Sequence, residues 1–170
     1  MSLDNLIETW KDVRAGLTDE VSLIPADKFS FQPTAEIRSV ETLVKHIIES
    51  QKVLVGEMCR PDSNLRREPF PDLIKRYAGE VSGIEGKDAL IDALRSSIAA
   101  AEQTIRSFGE SALNELTQRF DGKTVTKLGF LQFSTSHEMY HRGQLTVYQR
   151  LLGIEPALTT RIKKLFATGR

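Results

Sequence analysis

The sequence predicts an all-α fold, a four-helix bundle formed by a single domain over residues 1–170. Four long stretches carry apolar residues at three- and four-residue spacing, which places them along one side of a helix. No segment shows the alternation of apolar and polar residues that is typical of a strand, and no internal repeat is present. A chain of this length buries a core without disulfides. Together these features favour a helical bundle.

The first two predicted helices are separated by an irregular segment rich in phenylalanine and proline. The first helix is expected from Leu3 to Ile24, where Pro25 ends it. The second is expected from about Val40 to Met58, with Ser39 as its N-cap. Apolar residues of the first stripe are Leu3, Leu6, Ile7, Trp10, Val13, Leu17, Val21 and Ile24.

The third and fourth predicted helices lie in the second half of the chain. The third is expected from about Lys87 to Phe108, with Gly109 as a stop, and its stripe has nearly heptad spacing. The fourth is expected from about Thr126 to Leu152, with Gly153 as the C-cap. Apolar residues of the third stripe are Leu90, Leu94, Ile98, Ala101, Ile105 and Phe108.

Three long connections join these helices, at residues 25–38, 59–86 and 109–125. The second connection contains a possible short helical turn around Leu73 to Tyr77, and the third contains the turn dipeptide Asp121-Gly122. We expect helices one and two, and then helices three and four, to pair across the core.

Composition and charge argue against several classes of function. With 23 basic and 23 acidic side chains, the chain lacks the bulk positive charge that binds nucleic acid or anionic lipid. No apolar run approaches the roughly 18 residues of a membrane span. The N-terminus lacks the pattern of a secretory signal, so we expect a cytoplasmic protein. Cys59 is the only cysteine, which excludes an internal disulfide and a thiolate-rich zinc site.

The three histidines of the chain provide its clearest chemical signal. His137 and His141 lie four residues apart on the fourth predicted helix, so their side chains differ by only about 40° around the axis. The same face carries apolar residues such as Phe130 and Leu145, which indicates that it points toward the core. Two buried imidazoles with four ring nitrogens to satisfy are hard to explain by packing alone.

His46 on the second predicted helix could supply a third nitrogen. Taken alone, His46 is better explained as a hydrogen-bonded core histidine than as a metal ligand. Together with His137 and His141, it would form a three-imidazole site between two facing helices. Such a site leaves positions open for water or substrate, as in catalytic rather than structural metal sites. The metal stays open among zinc, nickel, iron, manganese and cobalt.

The segment from His137 to His141 also matches the letters of the zinc-peptidase motif HExxH. The metzincin pattern requires glycine at position 144 and histidine at position 147, and neither is present. The other peptidase type needs a downstream glutamate, but Glu155 would lie about 20 Å from His141 along the helix. Peptidase activity is therefore not expected.

Several longer motifs resemble the DinB/YfiT-like proteins over nearly the whole chain. The matching pieces are Phe31-Gln32-Pro33, His46 in Val44-Lys45-His46-Ile47, the turn Asp121-Gly122-Lys123, the run from His137 to Leu145, and the ending Leu152-Gly153-Ile154-Glu155-Pro156. The resemblance implies a four-helix bundle with a metal site formed by His46, His137 and His141. Members of this family are often dimers, so the resemblance also implies a homodimer. It implies no DNA-binding activity.

The resemblance implies an enzyme that acts on a small molecule: a metal-dependent hydrolase, or a transferase using a low-molecular-weight thiol as co-substrate, such as bacillithiol or mycothiol. The alternative is a non-catalytic, dimeric stress-response module that a metal or ligand stabilises. No catalytic residue is assigned.

Four further polar residues lie near the predicted ligands. Glu49 and Glu138 could hydrogen-bond to the ligands or act as a base. The simpler interpretation is that each is a carboxylate on the surface or in an ion pair between helices. Gln144 could touch the cavity, and Arg142 is expected in an interhelical ion pair. Two aromatic residues, Trp10 and Tyr148, could line the pocket or pack in the core, and Cys59 is expected to be a spectator.

Overall fold

The structure, a computed structural model, describes residues 2–168. Its helices are α1 (Leu3–Leu23), α2 (Val40–Met58), α3 (Phe70–Ala78), α4 (Lys87–Phe108), α5 (Glu110–Leu113), α6 (Lys127–Leu151) and α7 (Ala157–Thr168). Two short strands, β1 (Leu116–Gln118) and β2 (Thr124–Thr126), form an antiparallel hairpin. Short 3-10 turns cover Ala26–Lys28 and Gly79–Gly83. The predicted all-α class and four-helix bundle are confirmed.

The four long helices begin and end close to their predicted bounds because local capping signals determine them. The Ser39 side chain accepts a hydrogen bond from the Thr42 amide, and Thr126 accepts one from Gly129 in the same way. These are N-caps, which satisfy backbone donors in the first turn. Gly153 follows α6 with a φ of 76°, the left-handed conformation that glycine adopts at little cost.

Besides the short helix α5, which was not predicted, three elements differ from the sequence-based prediction. The helical turn in the second connection is a full helix, α3. The third connection contains the hairpin, although no strand was predicted, because three-residue strands are too short to show alternation. Helix α7 follows the last of the four predicted helices and was not predicted. Gly122, with a φ of 82°, makes the predicted turn between the two strands.

The predicted pairing of consecutive helices is wrong. Helix α1 packs against α4 and α6, and α2 packs against the same two helices. Helices α1 and α2 therefore lie diagonally opposite, as do α4 and α6. Long connections allow this arrangement, because a chain segment such as residues 24–39 can cross the end of the bundle, whereas a short loop would force neighbouring helices together.

The core runs the length of the bundle in two apolar clusters. One, around Leu17, Ile47 and Leu94, lies toward the loop before α2, and the other, around Trp10 and Met58, lies toward the hairpin. Within residues 2–168, no helix is both long enough and apolar enough to cross a bilayer. The histidines lie in the part of the interface where α2 meets α6.

Candidate metal centre

The three predicted ligands converge in the structure. One nitrogen of each imidazole from His46, His137 and His141 can be chosen so that all three lie within 4.8 Å of one another. The Nε2 atoms of His137 and His141 are 2.9 Å apart. The ring centroid of His46 lies 5.2 Å from that of His137 and 4.9 Å from that of His141.

The fold explains this convergence in two steps. The four-residue spacing stacks His137 and His141 on one face of α6, and the packing of α2 against α6 brings His46 to the same point. Nitrogen ligands about 2.0–2.1 Å from one ion lie about 3 Å from each other, which agrees with the 2.9 Å separation of the two Nε2 atoms. The donor set therefore fits a divalent metal ion.

Side chains next to the ligands orient the rings. Gln144 Oε1 lies 2.6 Å from His141 Nδ1, with the amide oriented so that its oxygen accepts the ring N–H. This tautomer leaves the Nε2 lone pair directed toward the other two histidines. Ser50 Oγ lies 3.5 Å from His46 Nδ1, a weaker contact of the same kind. Gln144, which the sequence suggested could touch the cavity, thus contacts the centre through His141.

Burial keeps the three imidazoles neutral at physiological pH. It lowers the pKa of His46 to about 3 and that of His137 to about 4, and it lowers the pKa of His141 as well. The positive charge of Arg38 contributes to the lowering at all three rings. Because a metal binds the neutral form of imidazole, the site needs no proton release to accept an ion at pH 7.

Glu138, the glutamate of the HExxH letters, is directed away from the histidines. It is 1% exposed and accepts hydrogen bonds from Trp10 Nε1 at 2.7 Å and from Arg14 Nε at 2.8 Å. A second Arg14 nitrogen forms an ion pair with it at 2.5 Å. Glu138 is therefore a carboxylate that pairs two helices, which was one of the two expected positions. The other expected position, on the surface, is wrong. A carboxylate engaged by three donors is a poor general base, which also argues against a peptidase.

Arg14 was missed by the sequence analysis. Its remaining donors reach the Leu94 carbonyl, Ser97 Oγ and Gln51 Oε1, so one guanidinium contacts all four long helices. The available signal was its position within the apolar stripe of the first helix, four residues after Trp10. A charged residue in such a stripe is expected to be buried and paired.

The other candidate residues have structural positions. Arg142 forms the predicted interhelical ion pair, 3.3 Å from Glu20. Burial raises the pKa of the Cys59 thiol to about 11, which keeps it protonated and supports the spectator role. Glu49 is half-buried on α2, and burial raises its pKa. Trp10 packs in the core and does not line the cavity beside the histidines.

A cavity of about 360 Å³ opens beside the histidines, and we call it the aromatic cavity. The residues that line it are His46, Ser50, Leu54, Phe70, Phe120, Phe133 and His137. The rings of Phe70 from α3 and Phe120 from the hairpin meet edge to face, with centroids 5.5 Å apart. These phenylalanines could not be identified from the sequence, because they lie on two connections whose conformation local sequence patterns do not determine.

A second cavity of about 430 Å³, which we call the Arg38 cavity, adjoins the centre at Gln144. The residues that line it are Glu36, Ile37, Arg38, Leu43, Gln144 and Tyr148. Tyr148 is mostly buried and donates to the Arg38 carbonyl at 2.9 Å. The centre is thus bordered by an apolar cavity and by a polar one.

The fold agrees with comparisons to known proteins. The family model of the DinB family matches residues 1–169. The chain belongs to the DinB family. This DinB-family chain is 31% identical over 137 residues to the uncharacterized protein YjoA of Bacillus subtilis, covering 76% of this chain and 77% of YjoA.

Several solved structures share the fold. The crystal structure of YjoA has a TM-score of 0.66 at 22% identity, covering 88% of this chain and 92% of YjoA. YfiT of Bacillus subtilis, described as a probable metal-dependent hydrolase with an unusual four-helix bundle topology, has a TM-score of 0.69 at 13% identity, with 91% of each chain covered. A mycothiol-dependent maleylpyruvate isomerase has a TM-score of 0.67 at 18% identity, over 85% of this chain and 61% of the isomerase.

Proposed function

We propose that this protein is a metal-dependent enzyme that acts on a small molecule at a centre formed by His46, His137 and His141. The observation that carries the proposal is the convergence of three neutral imidazoles within 4.8 Å of one another beside a cavity. Three protein ligands leave coordination positions for a substrate, which is the pattern of catalytic sites. A bound divalent ion would lower the pKa of a coordinated thiol or water molecule and so provide a thiolate or hydroxide nucleophile.

Transfer of a low-molecular-weight thiol is the reaction that we favour. Three phenylalanines wall the aromatic cavity, and such walls suit an apolar electrophile better than a strongly hydrated substrate. Glu138 is held by Arg14 and Trp10, so it does not serve as the base for a water molecule. The fold shared with the mycothiol-dependent isomerase agrees with thiol chemistry. Hydrolysis is the second candidate, supported by the description of YfiT.

Metal binding is tested by elemental analysis of the purified protein and of the triple variant His46→Ala, His137→Ala, His141→Ala. We expect about one divalent ion per chain in the wild type and none in the triple variant. Gln132→Ala, an exposed position on the same helix α6, is the control and should keep the metal. A wild type that takes up no metal even after reconstitution would refute the proposed centre.

Thiol transfer is tested with 1-chloro-2,4-dinitrobenzene, whose apolar ring suits the aromatic cavity and whose chloride leaves as sulfur attacks. We expect the metal-loaded protein to conjugate a low-molecular-weight thiol to this compound. The His141→Ala substitution should reduce the rate of conjugation about 100-fold, as is common when a metal ligand or its support is lost. Activity that survives this substitution would contradict a metal enzyme. Metal that raises the melting temperature without any turnover would favour the non-catalytic module. The homodimer and the cytoplasmic location stay predictions.

A further inference from the structure

Arg38 lies beside the proposed centre, and its guanidinium has no hydrogen-bond or ion-pair partner among the described residues. Two carboxylates lie in its surroundings, Glu36 on the wall of the same cavity and Glu49 on α2. Neither forms an ion pair with it, so the guanidinium remains available to an external anion.

The loop that carries Arg38 is held in place by side chains. Tyr148 donates to the Arg38 carbonyl at 2.9 Å, and its ring packs edge to face against Phe31, with centroids 6.1 Å apart. The Gln32 amide donates to the Ile37 carbonyl at 2.5 Å. A binding group on a loop fixed by such contacts loses little conformational freedom when a ligand binds. These contacts also give the Phe31-Gln32 part of the family motif a physical role.

Arg38 lines a cavity that adjoins the histidine centre. Gln144 provides the direct structural link, because it lines the Arg38 cavity and bonds to His141. A ligand in the Arg38 cavity therefore lies next to the centre.

We propose that Arg38 binds a carboxylate of the small molecule that reacts at the histidine centre. This inference rests on the proposed function and names the substrate class: one of the two co-substrates carries a carboxylate that Arg38 binds. Arginine presents its N–H donors in a fork that matches both oxygens of a carboxylate. The carboxylate belongs either to the thiol or to the apolar co-substrate, and both are tested.

The experiment measures binding by calorimetry to metal-loaded protein, with two matched pairs of probes. The first pair is 3-phenylpropionate and 3-phenylpropanamide, and the second is 3-mercaptopropionate and 2-mercaptoethanol. We expect the carboxylate of one pair to bind about tenfold more tightly than its neutral partner, as a charge-assisted hydrogen bond predicts. Arg38→Gln should reduce this ratio to about one, and Arg38→Lys should restore part of it. The pair that responds identifies which co-substrate carries the carboxylate.

Arg95→Gln is the control, because Arg95 is an exposed arginine on α4. It should leave the binding ratio unchanged. A ratio near one for both pairs in the wild type would overturn the proposal. A ratio that Arg38→Gln leaves intact would also overturn it, because the metal or another group would then hold the carboxylate. Metal content is measured for every variant, so loss of the centre is distinguished from loss of the Arg38 contact.

Discussion

The buried pair of Arg14 and Glu138 is the strongest electrostatic feature of the protein at the scale of single residues. Both side chains are almost completely buried, and Glu138 directly follows His137 in the chain. Removing charges from water is costly, so the pair persists only because each hydrogen-bonding group has a partner. It holds the face of α6 that carries the histidines in one rotation relative to α1.

We predict that Glu138→Gln destabilises the protein by about 3–5 kcal/mol, because it leaves the Arg14 charge buried without a counter-ion. The measurement is urea unfolding of the metal-free protein. Asp92→Asn, which disrupts the exposed pair of Arg95 and Asp92, is the control and should change little. The double variant Arg14→Met, Glu138→Leu should recover much of the loss. Equal effects of the buried and exposed substitutions would contradict this account.

The histidines make the metal-free protein sensitive to acid. Their pKa values are lowered in the folded state, to about 3 for His46 and about 4 for His137, from about 6.5 when unfolded. The unfolded chain therefore binds more protons below about pH 6.5. Their contribution to stability is complete above that pH and is lost progressively as the pH falls from about 6.5 toward about 4 for His137 and about 3 for His46.

The melting temperature of metal-free wild type, followed from pH 7 to pH 4, should therefore fall more steeply than that of His46→Gln. Buried carboxylates contribute the same slope to both proteins, so the difference between the curves reports His46. Parallel curves would show that His46 does not titrate differently on folding.

At the scale of elements, α7 is attached to the bundle by one buried carboxylate. Glu20 on α1 is 0% exposed and accepts hydrogen bonds from the backbone amides of Ala157 at 2.6 Å and Leu158 at 3.2 Å. These amides are at the start of α7, where no carbonyl of the helix can reach them, and a negative charge there also interacts favourably with the helix dipole. Arg142 on α6 balances the charge.

We predict that Glu20→Ala loosens α7, because its first amides lose their acceptor and Arg142 loses its partner. Hydrogen exchange should become faster for α7 while the amides of α2 and α4 stay protected. Asp19→Ala is the control, since Asp19 pairs with α7 only through an exposed contact to Arg161. Similar exchange of α7 in both variants would contradict the role of Glu20 as a cap.

At the scale of the whole molecule, a metal bound to the three histidines would join α2 to α6. These helices are distant in sequence, and their contact closes one side of the bundle. A ligand that binds only the folded state stabilises it by about 4 kcal/mol at 1,000 times its dissociation constant. The same ion would therefore serve both stability and the proposed chemistry.

Zinc should accordingly raise the melting temperature of the wild type relative to protein kept in a chelator. The triple histidine variant should show no zinc-dependent shift, and Gln132→Ala should show the full shift. A shift of equal size in the triple variant would place the stabilising ion elsewhere.

The sequence alone predicted the long helices and singled out His137 and His141 as candidate ligands. Helix periodicity and capping are local properties, so α2 and α4 could be assigned end to end, and the spacing of His137 and His141 placed both on one face of α6. The inclusion of His46 depended on its placement beside a helix interface and on the family resemblance. The elements missed, α5, the hairpin and α7, are short or depend on distant partners such as Glu20, and α3 was predicted only as a short turn.

The tertiary structure decided which helices are neighbours and what surrounds the histidines. Long connections leave helix order open in sequence, so only the packed fold places α1 diagonally opposite α2. The burial of Glu138 by Arg14, the aromatic cavity and the position of Arg38 all join residues from separate elements. Contacts of this kind form only when the whole core packs, because their free energy comes from excluding water from several elements at once.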